Sequence, residues 1–152
     1  MNFLQQSICK ALAGFIVSLL LLTNPSHCAT PQTSPEPLSV VYHINQGLDQ
    51  AKSALMYITN QLEEESNTHI EVVAHASGVY FLIADATTPQ GQAFSPLIDA
   101  LAKKGVIFKV CEKTLRTLNI PPSKLNPHVV LTPSGTVEIT KLQHQGFAYI
   151  KP

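Results

Sequence analysis

Cysteine occurs at positions 9, 28 and 111, and only Cys111 lies well away from the apolar N-terminal run. It directly follows the β-branched, apolar segment Val106–Val110 and precedes Glu112-Lys113-Thr114-Leu115, the pattern of a strand passing into a short helix. A thiol at that junction faces the unpaired amide N–H groups and positive end of the helix, which favour the thiolate. Lys113 adds a cation nearby. A thiolate of lowered pKa is the nucleophile that sulfane-sulfur capture and thiol–disulfide exchange require. The plainer role is packing, because cysteine is among the most buried residue types and closes a strand well.

His43 and His75 end two other apolar segments, so both are candidates for an acid, a base or an orienting group beside Cys111. Hydrogen bonding to backbone is the commoner use of such histidines. Together with Cys111 they offer the N and S donors zinc takes, yet no CxxC or paired-histidine spacing joins them, so neither a metal nor a cofactor is expected. Pro133-Ser134-Gly135 opens a helical pattern and could hold an anion, although helix capping is its ordinary use. The chain contains no GxSxG and no phosphate-binding GxxxxGK[ST], and the cysteine spacing excludes a CxxC redox motif.

Alternating strands and helices must position these residues. Leu38–Ile44 reads as a buried strand, with Asn45 as N-cap of a helix over about 46–64 whose apolar face is Leu48, Ala51, Leu55, Ile58 and Leu62. Ile70–Ala74 is a second strand, and Val79–Ala86 fits a short helix or a strand, the alternation of strands and helices favouring the helix. Pro96–Lys104 is a helix with Leu97, Ile98 and Leu101 inward, closed by Gly105. Val106–Val110, Val129–Leu131 and Phe147–Ile150 complete the strands, with helices at Glu112–Leu118 and Val137–Gln145 between them. Such repetition predicts an α/β protein, a three-layer α/β/α sandwich around a mostly parallel sheet of about five strands. In that architecture reactive groups gather beyond the carboxyl ends of the strands, where His43, His75 and Cys111 stand.

The chain has 152 residues, a one-domain length, with 45% hydrophobic and 13% charged residues and a formal net charge of zero. Nothing in it resembles the basic footprint of a nucleic-acid binder. Lys10 precedes an apolar run, Ala11–Leu22, far shorter than the roughly 20 residues a bilayer span needs. Polar residues and Cys28-Ala29 follow, the order of a secretory signal peptide over 1–29, cut near Cys28 or Ala29. A retained anchor is the competing interpretation. Residues 30–37, rich in proline, form a flexible linker, and the folded domain spans 38–152. The expectation is an exported, periplasmic protein with no membrane segment after processing and Cys111 as its one mature thiol.

VVYHIN at Val40–Asn45, EVVAHASG at Glu71–Gly78, VIFKVCEKTL at Val106–Leu115 and the ending PSGTVEITKLQHQGFAYIKP together resemble the DsrE/DsrF-like sulfur-relay family over about Leu38–Pro152. The resemblance implies a parallel α/β sandwich, assembly into homo-oligomers such as trimers or hexamers, and sulfurtransferase-like chemistry in which one cysteine carries a persulfide. Cys111 is the matching cysteine, and its partners would be sulfur donors and acceptors, either proteins or small thiols. The alternative is a non-catalytic homo-oligomeric binding module of the same fold.

Overall fold

The computed structural model describes residues 36–152. The expected signal peptide and most of the linker lie outside the described residues. Among the described residues, no helix is long and apolar enough to cross a membrane.

The chain runs β1 (Ser39–Ile44), α1 (Leu48–Glu64), β2 (His69–Ala74), a 3-10 segment (Ala76–Leu82), α2 (Ser95–Lys103), β3 (Ile107–Cys111), α3 (Glu112–Thr117), β4 (Val129–Thr132), α4 (Gly135–His144) and β5 (Ala148–Ile150). All strand pairings are parallel, in the order β4-β3-β2-β1-β5. Helices flank both faces, as the sequence pattern requires of a three-layer sandwich. The order has a consequence for those faces. From β1 to β4 the chain advances in one direction across the sheet, then β5 returns to the far side of β1. Right-handed crossovers in opposite directions cover opposite faces. So α4 stands alone against one face, while α1, the 3-10 segment and α2 pack on the other.

Side-chain alternation then divides each strand. Val40, Tyr42 and Ile44 of β1, Ile70 and Val72 of β2, and Phe108 and Val110 of β3 join Leu55, Ile58, Phe81 and Ile98 in the larger core. Val41 and Val73 meet Ile139, Leu142 and Phe147 in a smaller one beneath α4. The same α4-side face carries polar residues. Lys109 of β3 sits 2.5 Å from carboxylates of both Glu71 on β2 and Glu138 on α4. These strands are therefore not apolar on both faces.

Several local expectations are corrected. Gly47, at φ 92°, rather than Asn45 precedes α1, and no side chain of the capping residue closes it. Gln50 caps from inside the helix instead, its Oε1 accepting the N–H groups of Asn45 (2.7 Å) and Gln46 (2.8 Å). Its amide nitrogen also donates to the Pro152 carbonyl at 3.1 Å, tying the chain end to the β1–α1 turn. The helix expected over Val79–Ala86 is a 3-10 segment beginning earlier, at Ala76. Gly78 presses there against the end of β1, where a Cβ would stand 2.2 Å from the Ile44 carbonyl oxygen. A short segment so pinned winds tighter than an α-helix. On α2 only Ile98 and Leu101 are buried, and Leu97 turns outward beside Met56. β3 extends one residue further than expected, so Cys111 is its last residue.

Candidate active site at the carboxyl edge of the sheet

Parallel pairing aligns the strand ends, and the register brings the expected residues together. Ala74 pairs with Val110, so the next residues, His75 and Cys111, lie side by side. His43 pairs with Val73, two residues before His75, and Tyr149 pairs with Val41, two residues before His43. Alternation turns all four side chains to the α4 side. The result is a row, Tyr149–His43–His75–Cys111, across β5, β1, β2 and β3.

Contacts along the row are short. The Tyr149 hydroxyl lies 2.6 Å from His43 Nδ1. His43 Nε2 lies 2.6 Å from His75 Nε2, with the two rings stacked at a 4.7 Å centroid separation. His75 and Cys111 are brought together over Gly135, where a Cβ would be 3.1 Å from His75 Cβ and 3.3 Å from Cys111 Cβ. Glycine at the start of α4 lets the helix end approach both.

Burial disfavours charge on both imidazoles. His43 is lowered to about 4 by burial first, then by His75 and Lys151. His75 is also lowered, by burial and by Lys151. Both rings are therefore neutral at pH 7, and their facing Nε2 atoms share a single proton.

Cys111 is 6% exposed, and burial alone pushes its thiol up. The net direction is nevertheless downward. The Gly135 backbone N–H, the Thr114 hydroxyl and the backbone N–H groups of Thr114 and Lys113 all hydrogen-bond the sulfur and together outweigh burial. Since Thr114 Oγ1 accepts the Ala76 N–H at 3.2 Å, its hydroxyl proton is free to point at the sulfur. Ala76 presents that N–H from a left-handed conformation, φ 48°. The Ser134-Gly135 turn therefore has a different use from simple capping. Ser134 makes no side-chain cap, and the Gly135 N–H serves the sulfur.

An open groove of about 390 Å³ adjoins the thiol between the 3-10 segment and α3, lined by Ala76, Ser77, Tyr80, Lys113, Thr114 and Thr117. Cys111 is not on its wall, but Lys113 and Thr114 are common to the groove and to the sulfur's hydrogen-bond shell. No group of three or more His, Cys, Asp or Glu side chains able to hold a metal ion occurs among the described residues.

Cys111, His43 and His75 thus converge, Gly135 joins them from the turn expected to hold an anion or cap a helix, and Thr114 and Tyr149 complete the site without having been singled out from sequence. Thr114 could have been found as the third residue after the cysteine, where a first-turn side chain reaches back to the strand end. Tyr149 required the strand order.

A family model, the DsrE/DsrF-like family, matches residues 39–152. The chain belongs to this family. Among solved structures it is similar to MTH1491 from Methanobacterium thermoautotrophicum, described as a protein of unknown function. That match has 29% identity and a TM-score of 0.69, covering 76% of this chain and 99% of that one. It is also similar to the YchN protein from E. coli, at 16% identity and a TM-score of 0.63, covering 74% of this chain and 96% of that one. The YchN likeness is one of fold. No curated protein matches this chain.

Proposed function

We propose that this DsrE/DsrF-like protein is a sulfur-relay carrier in which Cys111 holds sulfane sulfur as a persulfide. The observation that carries the proposal is the set of hydrogen bonds from Gly135, Thr114 and Lys113 that holds a buried thiol toward its thiolate. The thiolate attacks the outer sulfur of a donor R–S–SH. A Cys111 S–S bond forms, the donor S–S bond breaks, and R–S⁻ leaves with the bond pair. Transfer to an acceptor thiolate repeats the step in reverse. With Cys111 6% exposed, a flat protein surface does not reach the sulfur, so small thiols or a narrow chain segment entering beside the groove fit better. Intact mass of the protein purified from its native compartment tests this. A reductant-sensitive gain of about one sulfur atom, lost in Cys111→Ser, is expected; equal loading of that variant overturns the proposal. The same spectrum reads the N-terminus, and a mature start just after Cys28 or Ala29 is the outcome expected of an exported, periplasmic carrier.

Self-association belongs to the same proposal. Val130 (51% exposed) of edge strand β4, Val137 (52%) of α4 and Tyr149 (42%) are all on the α4 side of the sheet. Homo-oligomerisation would cover apolar surface there. Light scattering is expected to give a multiple of the protomer mass, reduced by Val137→Lys.

The low exposure of Cys111 also favours a second possibility, a non-catalytic binding module with a structural thiol. Slow alkylation of the native protein together with an unmodified mass would select it.

A further inference from the structure

Breaking an S–S bond with an alkyl leaving group creates a basic thiolate, and the shell around Cys111 only donates to the attacking sulfur. The proton for the leaving sulfur needs another source. The row leading away from Cys111 ends on a tyrosine that is 42% exposed.

We propose that Tyr149 and His43 form a proton relay that, through His75, connects the Cys111 site with solvent. The inference rests on thiol exchange at Cys111, the chemistry of the proposed carrier, but not on the identity of its sulfur donor.

Hydrogen-bond logic gives the row two states. In one, the Tyr149 hydroxyl donates to His43 Nδ1, His43 Nε2–H donates to His75 Nε2, and His75 carries its remaining proton on Nδ1. In the other every proton has moved one place. His75 Nε2–H donates to His43 Nε2, His43 Nδ1–H donates to the Tyr149 oxygen, and Tyr149 bears a proton taken from solvent. Passage from the first state to the second delivers the His75 Nδ1 proton to the departing sulfur, so R–S⁻ leaves as R–SH. With a persulfide donor, the proton of the new Cys111–S–SH returns through His75 Nδ1 and resets the row. Protons in and out balance, and no oxidant or reductant is consumed beyond the exchanging sulfurs.

Both states need neutral imidazoles. Burial maintains this first, aided by Lys151 beside both rings and by His75 beside His43, while Tyr149 faces His43 as a neutral hydroxyl and no carboxylate pairs with either ring among the described residues. Neither Tyr149 nor His43 touches the reacting sulfur; each acts only by moving a proton.

Leaving-group chemistry supplies the test. An aromatic disulfide releases a weakly basic thiolate that needs no proton, whereas an alkyl disulfide releases a strongly basic one. Rates of Cys111 reaction with both are measured in wild type, Tyr149→Phe and His43→Gln. Each variant is expected to slow the alkyl reaction by about tenfold or more, the lower range of proton-transfer catalysis, and to leave the aromatic reaction unchanged. Concentrated imidazole buffer is expected to restore the alkyl rate. The aromatic reaction also reports an intact thiol site, so misfolding cannot imitate the contrast. Equal slowing of both reactions, or of neither, in the two variants overturns the relay. Should the contrast hold while wild-type protein takes up no persulfide sulfur, the carrier proposal falls and the relay stands.

Discussion

Thr114 shows how one hydroxyl sets the chemistry of its neighbour. It accepts from the Ala76 N–H and so has one proton left, for the Cys111 sulfur. A hydrogen bond to a charged group is worth about 1.5–3 kcal/mol. Thr114→Val is therefore expected to lower the thiolate-to-thiol ratio about tenfold or more, read as slower alkylation near neutral pH and a rightward shift of the thiolate absorbance titration. Thr114→Ser keeps the hydroxyl and should restore both. An unchanged titration in Thr114→Val would show that the three backbone N–H groups suffice. From sequence, Cys111 was legible because a strand pattern breaks into a helix at that residue. Its hydrogen-bond shell was not, since Gly135 reaches the sulfur, and Ala76 reaches the Thr114 hydroxyl, from segments far away along the chain.

At the scale of elements, two contacts hold the edge of the sheet in shape. Gly78 lets the 3-10 segment lie against the end of β1, and a Cβ there would meet the Ile44 carbonyl carbon at 2.5 Å as well as its oxygen. Backbone cannot swing aside as a flexible side chain can, so Gly78→Ala is expected to cost about 3 kcal/mol, the upper range for overpacking, read from the urea midpoint. A loss below about 0.5 kcal/mol, the ordinary scatter of harmless substitutions, would mean that the segment moves freely. On the opposite face, Lys109 joins β2, β3 and α4 through Glu71 and Glu138, and burial of the ammonium is outweighed by the two carboxylates so that its pKa is raised. With side chains still 17–18% exposed, Glu138→Leu should cost about 2 kcal/mol, less than the 3–5 kcal/mol of a fully buried pair broken on one side. Most strands and helices could be read from apolar periodicity within a few residues. The exceptions share a cause. In each a specific contact overrides the local pattern: Gln50 takes the capping role from Asn45, Ile44 pins the segment after β2 through Gly78, and the flank of α2 that meets the core leaves Leu97 outside.

Across the whole molecule, the one-helix face concentrates nearly everything that titrates in the core region, and acid should unfold the protein from that side. Two pH windows can be separated. His43 is lowered from 6.5 to about 4 in the folded state, so between those values the unfolded chain binds more protons and stability falls as pH falls. His75, lowered in the same direction, adds to this. Glu138 is lowered from 4.5, mainly by its hydrogen bond with Lys109, and its contribution is lost only below that value. The urea midpoint is thus expected to drop already between pH 6.5 and pH 4.5, before the Glu138 contribution begins to be lost. His43→Gln should flatten the upper part of the drop, leaving the share of His75 and the whole of the carboxylate limb. Glu138→Gln should do the converse, sparing the upper window and flattening the lower. A wild-type midpoint constant from pH 7 to pH 5 would mean that the histidines are solvated enough to protonate in place. The stacked pair would then take up charge as the pH falls through 6.5 and lose its single shared proton there. Because the relay needs neutral rings and acid lability follows from keeping them neutral in a half-buried row, stability and proton transfer must respond to His43→Gln together.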